Sequence, residues 1–176
     1  MIKTKKQIKV LTKNSIERQP VPVLGENYKV KIIYKNIKIA KIDIEEKTIK
    51  ISLPNKYKNT ENNLILDLAI DKMYEQIAKI EIERAMEKIR IQLKFAPDDY
   101  QIKDTKKELG SYENNIITIN PKIVMFSKKI IDYIVLHEYC HIKSKTHSKT
   151  FIKLIEKYEP NYILYDNYIK TLGYTY

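Results

Sequence analysis

In "VLHEYCHIKSKTHSKTF", residues 135–151, lie all three histidines of a 176-residue chain. The residues leading into it are apolar on nearly every side. Ile130, Ile131, Ile134, Val135, Leu136 and Cys140 would cover most of a helix circumference, which marks a buried helix. Into that helix the sequence places His137, Glu138 and His141. At about 100° per residue they share one arc, with His141 one turn above His137. Burying two imidazoles and a carboxylate there is costly unless something pairs with them. A divalent cation removes that cost by taking both ring nitrogens and attracting the acid.

The pattern His-Glu-x-x-His gives each residue a task. Histidines at i and i+4 offer neutral nitrogens to Zn²⁺, the expected cofactor. Glu138, one position on, points beside the metal, where it can take a proton from a bound water and deliver it to a leaving group. A catalytic zinc takes a third protein ligand and keeps one position open. His147 fills that role if the helix ends near Ile142 and the "KSKT" turn doubles back. Glu156 or Glu159 is the alternative third ligand. Cys140 sits on a different arc and reads as packing. The spacing from His141 to His147 equals that of metzincins, but Ser144 stands where a glycine usually turns the chain, and no methionine follows Met125.

Before this helix, "LGSYENNIITIN" (109–120) places turn chemistry at Gly110 and at Asn114-Asn115 between two extended pieces. "YQIKD" reads as another strand, and Ser127 as the N-cap of the apolar helix. From Asn62 to Phe95 the chain lacks Gly and Pro. There Leu64, Leu68, Tyr74, Ile77, Ala78, Ala85, Met86, Ile89 and Leu93 recur at helical spacing, predicting one long helix or two abutting ones capped by Asn62 or Asn63. "QPVPVLGEN" reads as a loop. "NYKVKIIY", "IKIAKIDIE" and "TIKISLP" alternate with period two, predicting a small antiparallel sheet with one wet face. Two shorter helices follow the histidines, around 148–158 and 162–172, with Gly173 as a stop. The expected layout is α+β: a basic segment 1–20, a β-rich subdomain 21–61, and residues 62–176 carrying the site.

At 43% hydrophobic the chain can bury a core, and no run approaches the roughly 18 apolar residues of a membrane span. One cysteine excludes a disulfide framework, and the first residues lack the apolar run of a signal peptide, so a cytoplasmic setting is expected. The net charge of +11 raises a nucleic-acid partner, but almost all of it is lysine, with only Arg18, Arg84 and Arg90 suited to forked phosphate recognition.

Residues from about 24 to 172 resemble the YgjP-like metallopeptidase-domain family, also called DUF45, a family of predicted metal-dependent hydrolases. Its His-Glu-Leu-Cys-His-Leu stretch, then Asn-His-Ser and an aromatic pair, reads here as "HEYCHIKSKTHSKTF". The lead-in "IDYIVLHE", Gly110 and Ser111 of the family's turn, Ile119-Asn120 at the end of its strand, "LGENYKVKI" and Pro160-Asn161-Tyr162 also match. Leu109, Tyr112, Ser127 and Ile152 replace a Trp, a Cys, a Pro and a Trp of the family pattern. The resemblance implies a zincin-like metallopeptidase fold with His137, His141 and His147 as metal ligands, Glu138 as catalytic residue, and a peptide or protein substrate.

By analogy with zincins, "NIITIN" (115–120) is the strand expected to pair with substrate, and Asn120 and Tyr112 are the expected substrate contacts. Tyr112, Tyr133 and Tyr162 are the available electrophilic donors, and Lys106 and Lys107 could meet an anionic group. Two competing readings share the metal site: a UTP-type nucleotide pyrophosphatase, for which no Gly-rich phosphate loop is present, and a DNA-associated module or protease like the SprT proteins, to which the family is similar.

Overall fold

The computed structural model describes residues 15–17, 19–58, 63–106 and 108–176. The chain divides into two compact units, one ending at Met73 and one beginning at Tyr74. Most of the expected basic segment 1–20, the Asn62 cap and Lys107 lie outside the described residues, as does the side chain of Asn63.

The first unit holds β1 (Ser15–Glu17), β2 (Val21–Val23), β3 (Glu26–Lys35), β4 (Lys41–Glu45) and β5 (Thr48–Pro54). The stretch read as a loop is a hairpin: Val23 pairs with Glu26 across Leu24 and Gly25, both at positive φ, the geometry of a two-residue turn. The predicted alternation holds in β3, where Val30, Ile32 and Tyr34 are buried while Lys29, Lys31 and Lys35 are exposed. The predicted antiparallel sheet does not hold. Its order is β1-β3-β5-β4, and β3 and β5 run parallel, from Lys29 beside Thr48 to Lys35 beside Pro54. Burial explains the arrangement. Ile49, Ile51 and Leu53 of β5 are completely buried and need neighbours on both sides, whereas Lys41, Asp43 and Glu45 of β4 suit a wet edge. Strand β4 therefore folds back onto the outer side of β5, turning at Glu46 and Lys47, both at positive φ.

Helix α1 (Asn63–Leu93) is one uninterrupted helix of 31 residues. In its first turns Leu66, Ala69 and Met73 are buried while Leu64 and Leu68 are exposed, the reverse of the predicted stripe. Apolar residues at 64, 65, 66, 68, 69 and 70 satisfy helical spacing on two faces, so periodicity could not choose between them. Further along, Tyr74, Ala78, Ala85, Met86, Ile89 and Leu93 are buried as expected.

In the second unit, β6 (Asp99–Ile102), β7 (Gly110–Glu113) and β8 (Ile116–Ile119) form a sheet ordered β6-β8-β7. Strands β7 and β8 form a tight hairpin with Asn114 and Asn115 both in the left-handed region, as the sequence suggested. The chain then passes through a short 3-10 turn, Pro121–Met125, into α2 (Lys128–His141), α3 (Lys149–Tyr158) and α4 (Tyr162–Thr171). Ser127 occupies the N-cap position of α2 without a side-chain bond to the helix, whereas Ser148 caps α3 by accepting from Phe151 N. Gly173, at φ +79°, ends α4 as predicted. Among the described residues, no helix is long and apolar enough to cross a membrane.

Candidate functional site

Helix α2 is buried along eleven consecutive positions but one: of residues 130–140 only Asp132 is partly exposed. Its start is fastened to α1 by charge. Asp132 accepts from Arg84 at 2.7 Å and from Lys88 at 2.6 Å, while Glu81 is met by Arg84 at 2.8 Å and by Lys128 at 2.7 Å. Its end carries the histidines. His137 is 3% exposed and Glu138 1%, and His141 is the last helical residue.

The helix stops there because the chain turns. Lys143 N and Ser144 N both donate to Cys140 O, and the Ser144 hydroxyl donates to Thr146 O at 2.8 Å and lies 2.9 Å from Ser148 Oγ. This serine pair does what the sequence reading assigned to a missing glycine: it closes the loop and returns His147 to the helix. Ring nitrogens of His137, His141 and His147 come within 4.8 Å of one another, a group that could hold a metal ion. His147 Nε2 lies 3.0 Å from His137 Nε2. Phe151, on the first turn of α3, has its ring centre 4.7–4.9 Å from those of all three histidines and forms their apolar floor.

The electrostatics fit a cation. Burial first, and then the neighbouring His141 and His147, hold the His137 imidazolium down to about 2, so its ring is neutral. Burial also lowers His141, whose Nδ1 lies 3.1 Å from Ser144 O. Donating Nδ1–H to that carbonyl leaves its Nε2 bare, the tautomer a metal requires. The Nε2 atoms of His137 and His147, 3.0 Å apart, are placed either to share a proton or to face a common cation. Among the described residues, His137 Nδ1 and Glu138 Oε1 are buried without a hydrogen-bond partner. Burial pushes the Glu138 carboxyl up to about 8, with Glu108 adding to it. A nitrogen donor set beside an acid short of positive charge suits a borderline transition cation of the zinc type.

Sequence reasoning assigned Gly110 to a turn. Its role is close approach: a Cβ there would lie 2.5 Å from Glu138 Oε1 and 2.8 Å from its Cδ. Only hydrogen fits between β7 and the carboxylate. Glu138 and His141 open onto a cleft of about 780 Å³, also walled by Gly110, Ser111, Tyr112 and Tyr176. Tyr112 thus reaches the cleft, its hydroxyl donating to Asn115 Oδ1 at 2.8 Å. Asn120 does not. It is fully buried, accepts from Lys122 N at 2.9 Å and donates to Glu108 O at 3.1 Å, so it caps the 3-10 turn and ties down the strand end. Nor can β8 take on a substrate strand, since β6 and β7 already occupy both its edges.

The remaining expected residues separate in the same way. Glu156 and Glu159 lie outside the nitrogen cluster, and Glu159 accepts from Asn161 N at 3.2 Å near the start of α4. Burial pushes the Cys140 thiol up to about 12, and its position among buried residues is one of packing. Tyr133 meets Tyr176 through a 2.9 Å hydroxyl contact, and Lys106 is exposed. The sequence reading missed Phe151 and Tyr176 as parts of the site. Tyr176 gave no local signal, whereas Phe151 stands four residues after His147 within the quoted motif.

A buried helix that brings three imidazoles together beside a carboxylate facing an open cleft is the arrangement of a metal-dependent hydrolase. The chain belongs to the YgjP-like family: that family's model, described as the YgjP-like metallopeptidase domain, matches residues 1–171. Among solved structures it is similar to the crystal structure of the metallopeptidase zymogen of Pyrococcus abyssi abylysin, with 24% identity, 51% of this chain and 92% of that chain covered, and a TM-score of 0.47. It is likewise similar to the metallopeptidase zymogen of Methanocaldococcus jannaschii jannalysin, with 24% identity, 52% and 88% covered, and a TM-score of 0.47. No curated protein matches the chain.

Proposed function

We propose that the protein is a zinc-dependent peptidase in which His137, His141 and His147 hold the metal and Glu138 is the general base. The observation that carries this reading is the convergence of three imidazole nitrogens within 4.8 Å beside a buried, unpartnered carboxylate oxygen. When bound, a zinc-type cation acts as a Lewis acid toward the peptide carbonyl and brings the pKa of a water toward about 7.

The chain's own residues supply the rest. The Ser144 carbonyl fixes the His141 tautomer, and the loop pinned by Ser144 and Ser148 holds His147 in place. Glu138 accepts a proton from the attacking water in the cleft and returns it to the departing amine. The Gly110 backbone, pressed against the carboxylate, limits the positions that Glu138 can adopt. With β8 enclosed, the hairpin strand β7, whose residues Ser111, Tyr112 and Glu113 wall the cleft, is the main chain along which a peptide would run.

The test is a comparison of zinc-loaded wild type with Glu138→Gln on a peptide library. The variant should keep its zinc and lose cleavage. Full cleavage by Glu138→Gln would remove the assignment of Glu138, and cleavage by a metal-stripped wild type would remove that of the metal.

A further inference from the structure

A second hollow, of about 290 Å³, has His137 and His147 themselves in its wall. The rest of its wall is mainly aromatic and aliphatic: Phe151, Ile152 and Ile155 from α3, Tyr133 from α2 and Tyr162 from α4. Asp166 and Lys170 also reach it, but they pair with each other at 2.7 Å, and Asp166 further accepts from the Tyr176 hydroxyl. The charges at this hollow therefore have partners, and what it offers an occupant is apolar surface.

Tyr176 lines both this hollow and the cleft that contains Glu138. Its ring centre lies 4.1 Å from that of His137, and its hydroxyl is held by Tyr133 and Asp166. The backbone just before it is held as well, with Leu109 N donating to Thr175 O at 2.7 Å. The phenol thus borders both a polar cleft, which contains the acid, and an apolar hollow bounded by two of the three imidazoles.

We propose that this hollow receives a bulky apolar side chain, aromatic or branched aliphatic, from the residue flanking the scissile bond, with Tyr176 as the wall that sizes it. The proposal rests on the peptidase reading above. A peptide whose carbonyl sits at the histidine cluster must place a neighbouring side chain within a few ångströms of the imidazoles, and the hollow shares their surface. Size agrees: an apolar cavity of about 150 Å³ accommodates benzene, so this one has room for a benzyl or isobutyl group.

Two peptide hydroxamates with the same backbone, one carrying a benzyl and the other a methyl side chain next to the hydroxamate, test this by binding alone. Their affinities are measured for the zinc-loaded protein, its Ile152→Trp variant, which fills the hollow, and its Tyr176→Ala variant, which removes one of its walls. In wild type the benzyl compound should bind at least about tenfold more tightly. Ile152→Trp should bring the ratio close to one, and Tyr176→Ala should reduce it. Equal affinities in wild type would overturn the proposal even if neither variant folds, and so would an unchanged ratio in a folded Ile152→Trp. Failure of both hydroxamates to bind zinc-loaded wild type would contradict the metal-centre reading itself and remove the proposal with it.

Discussion

The two ends of α2 treat buried charge in opposite ways. At its start, Asp132 and the nearly buried Glu81 share Arg84, Lys88 and Lys128, so each carboxylate has two cationic neighbours. Burial alone would raise the Glu81 carboxyl, but hydrogen bonds from Lys128 and Arg84 bring it below its usual range. Later on the same helix, His137 and Glu138 are buried more deeply and each leaves a polar atom bare. Unpaired buried polar groups cost about 1–3 kcal/mol each, more when charged, a cost that a bound partner would offset. The start of the helix is paired within the chain, and its end brings ring nitrogens together in a group that could hold a metal ion.

The contrast gives a graded set of expectations. Removing a ring at the far end should have the largest effect: His137→Ala or His147→Ala should lose both hydrolysis and a stoichiometric cation, read by elemental analysis after gel filtration. Glu138→Gln should come next, keeping the cation while hydrolysis falls by about 10²–10⁴-fold. Gly110→Ala drives a methyl group into the Glu138 carboxylate and should cost up to about 10²-fold in kcat through misplacement of the base, with metal content unchanged.

Stability should separate the two ends as well. In chelator-treated protein, the folded chain keeps the Glu138 proton up to about 8, whereas an unfolded one loses it near the ordinary 4.5. Between those values the folded state binds more protons, so this group makes stability fall as pH rises, by on the order of a few kcal/mol across the window. Denaturant unfolding at pH 5 and pH 8 should show that fall, and Glu138→Gln should flatten it. The smallest effect belongs to the other end. Asp132→Ala should lower stability by about 1–3 kcal/mol, because Arg84 is only partly exposed, while turnover per folded molecule stays the same. A loss of metal in Asp132→Ala would erase the distinction between the two ends.

How much of this was legible in the sequence follows the range of the interactions involved. The apolar helix, the histidine triad within one window and the Asn114-Asn115 hairpin are local patterns, and the structure has each of them. The parallel pairing of β3 with β5 was not legible, because alternation tells which face of a strand is buried but not which neighbour it takes. The first turns of α1 were misassigned because apolar residues crowd two faces. Asn120 was read as a substrate contact from its place at a strand end, whereas its amide is engaged by groups at 108 and 122 that no local rule connects. Gly110 and Tyr176 matter through contacts with Glu138 and His137, 28 and 39 positions away, and only the folded chain brings these together.

The central claim is that three imidazoles at the end of α2 share one cation, and calorimetric titration of zinc into chelator-stripped protein tests it most directly. The account predicts one zinc per chain in wild type, with the tight site abolished by His147→Ala and retained by Glu138→Gln. No stoichiometric binding to wild type, or undiminished binding to His147→Ala, would contradict it.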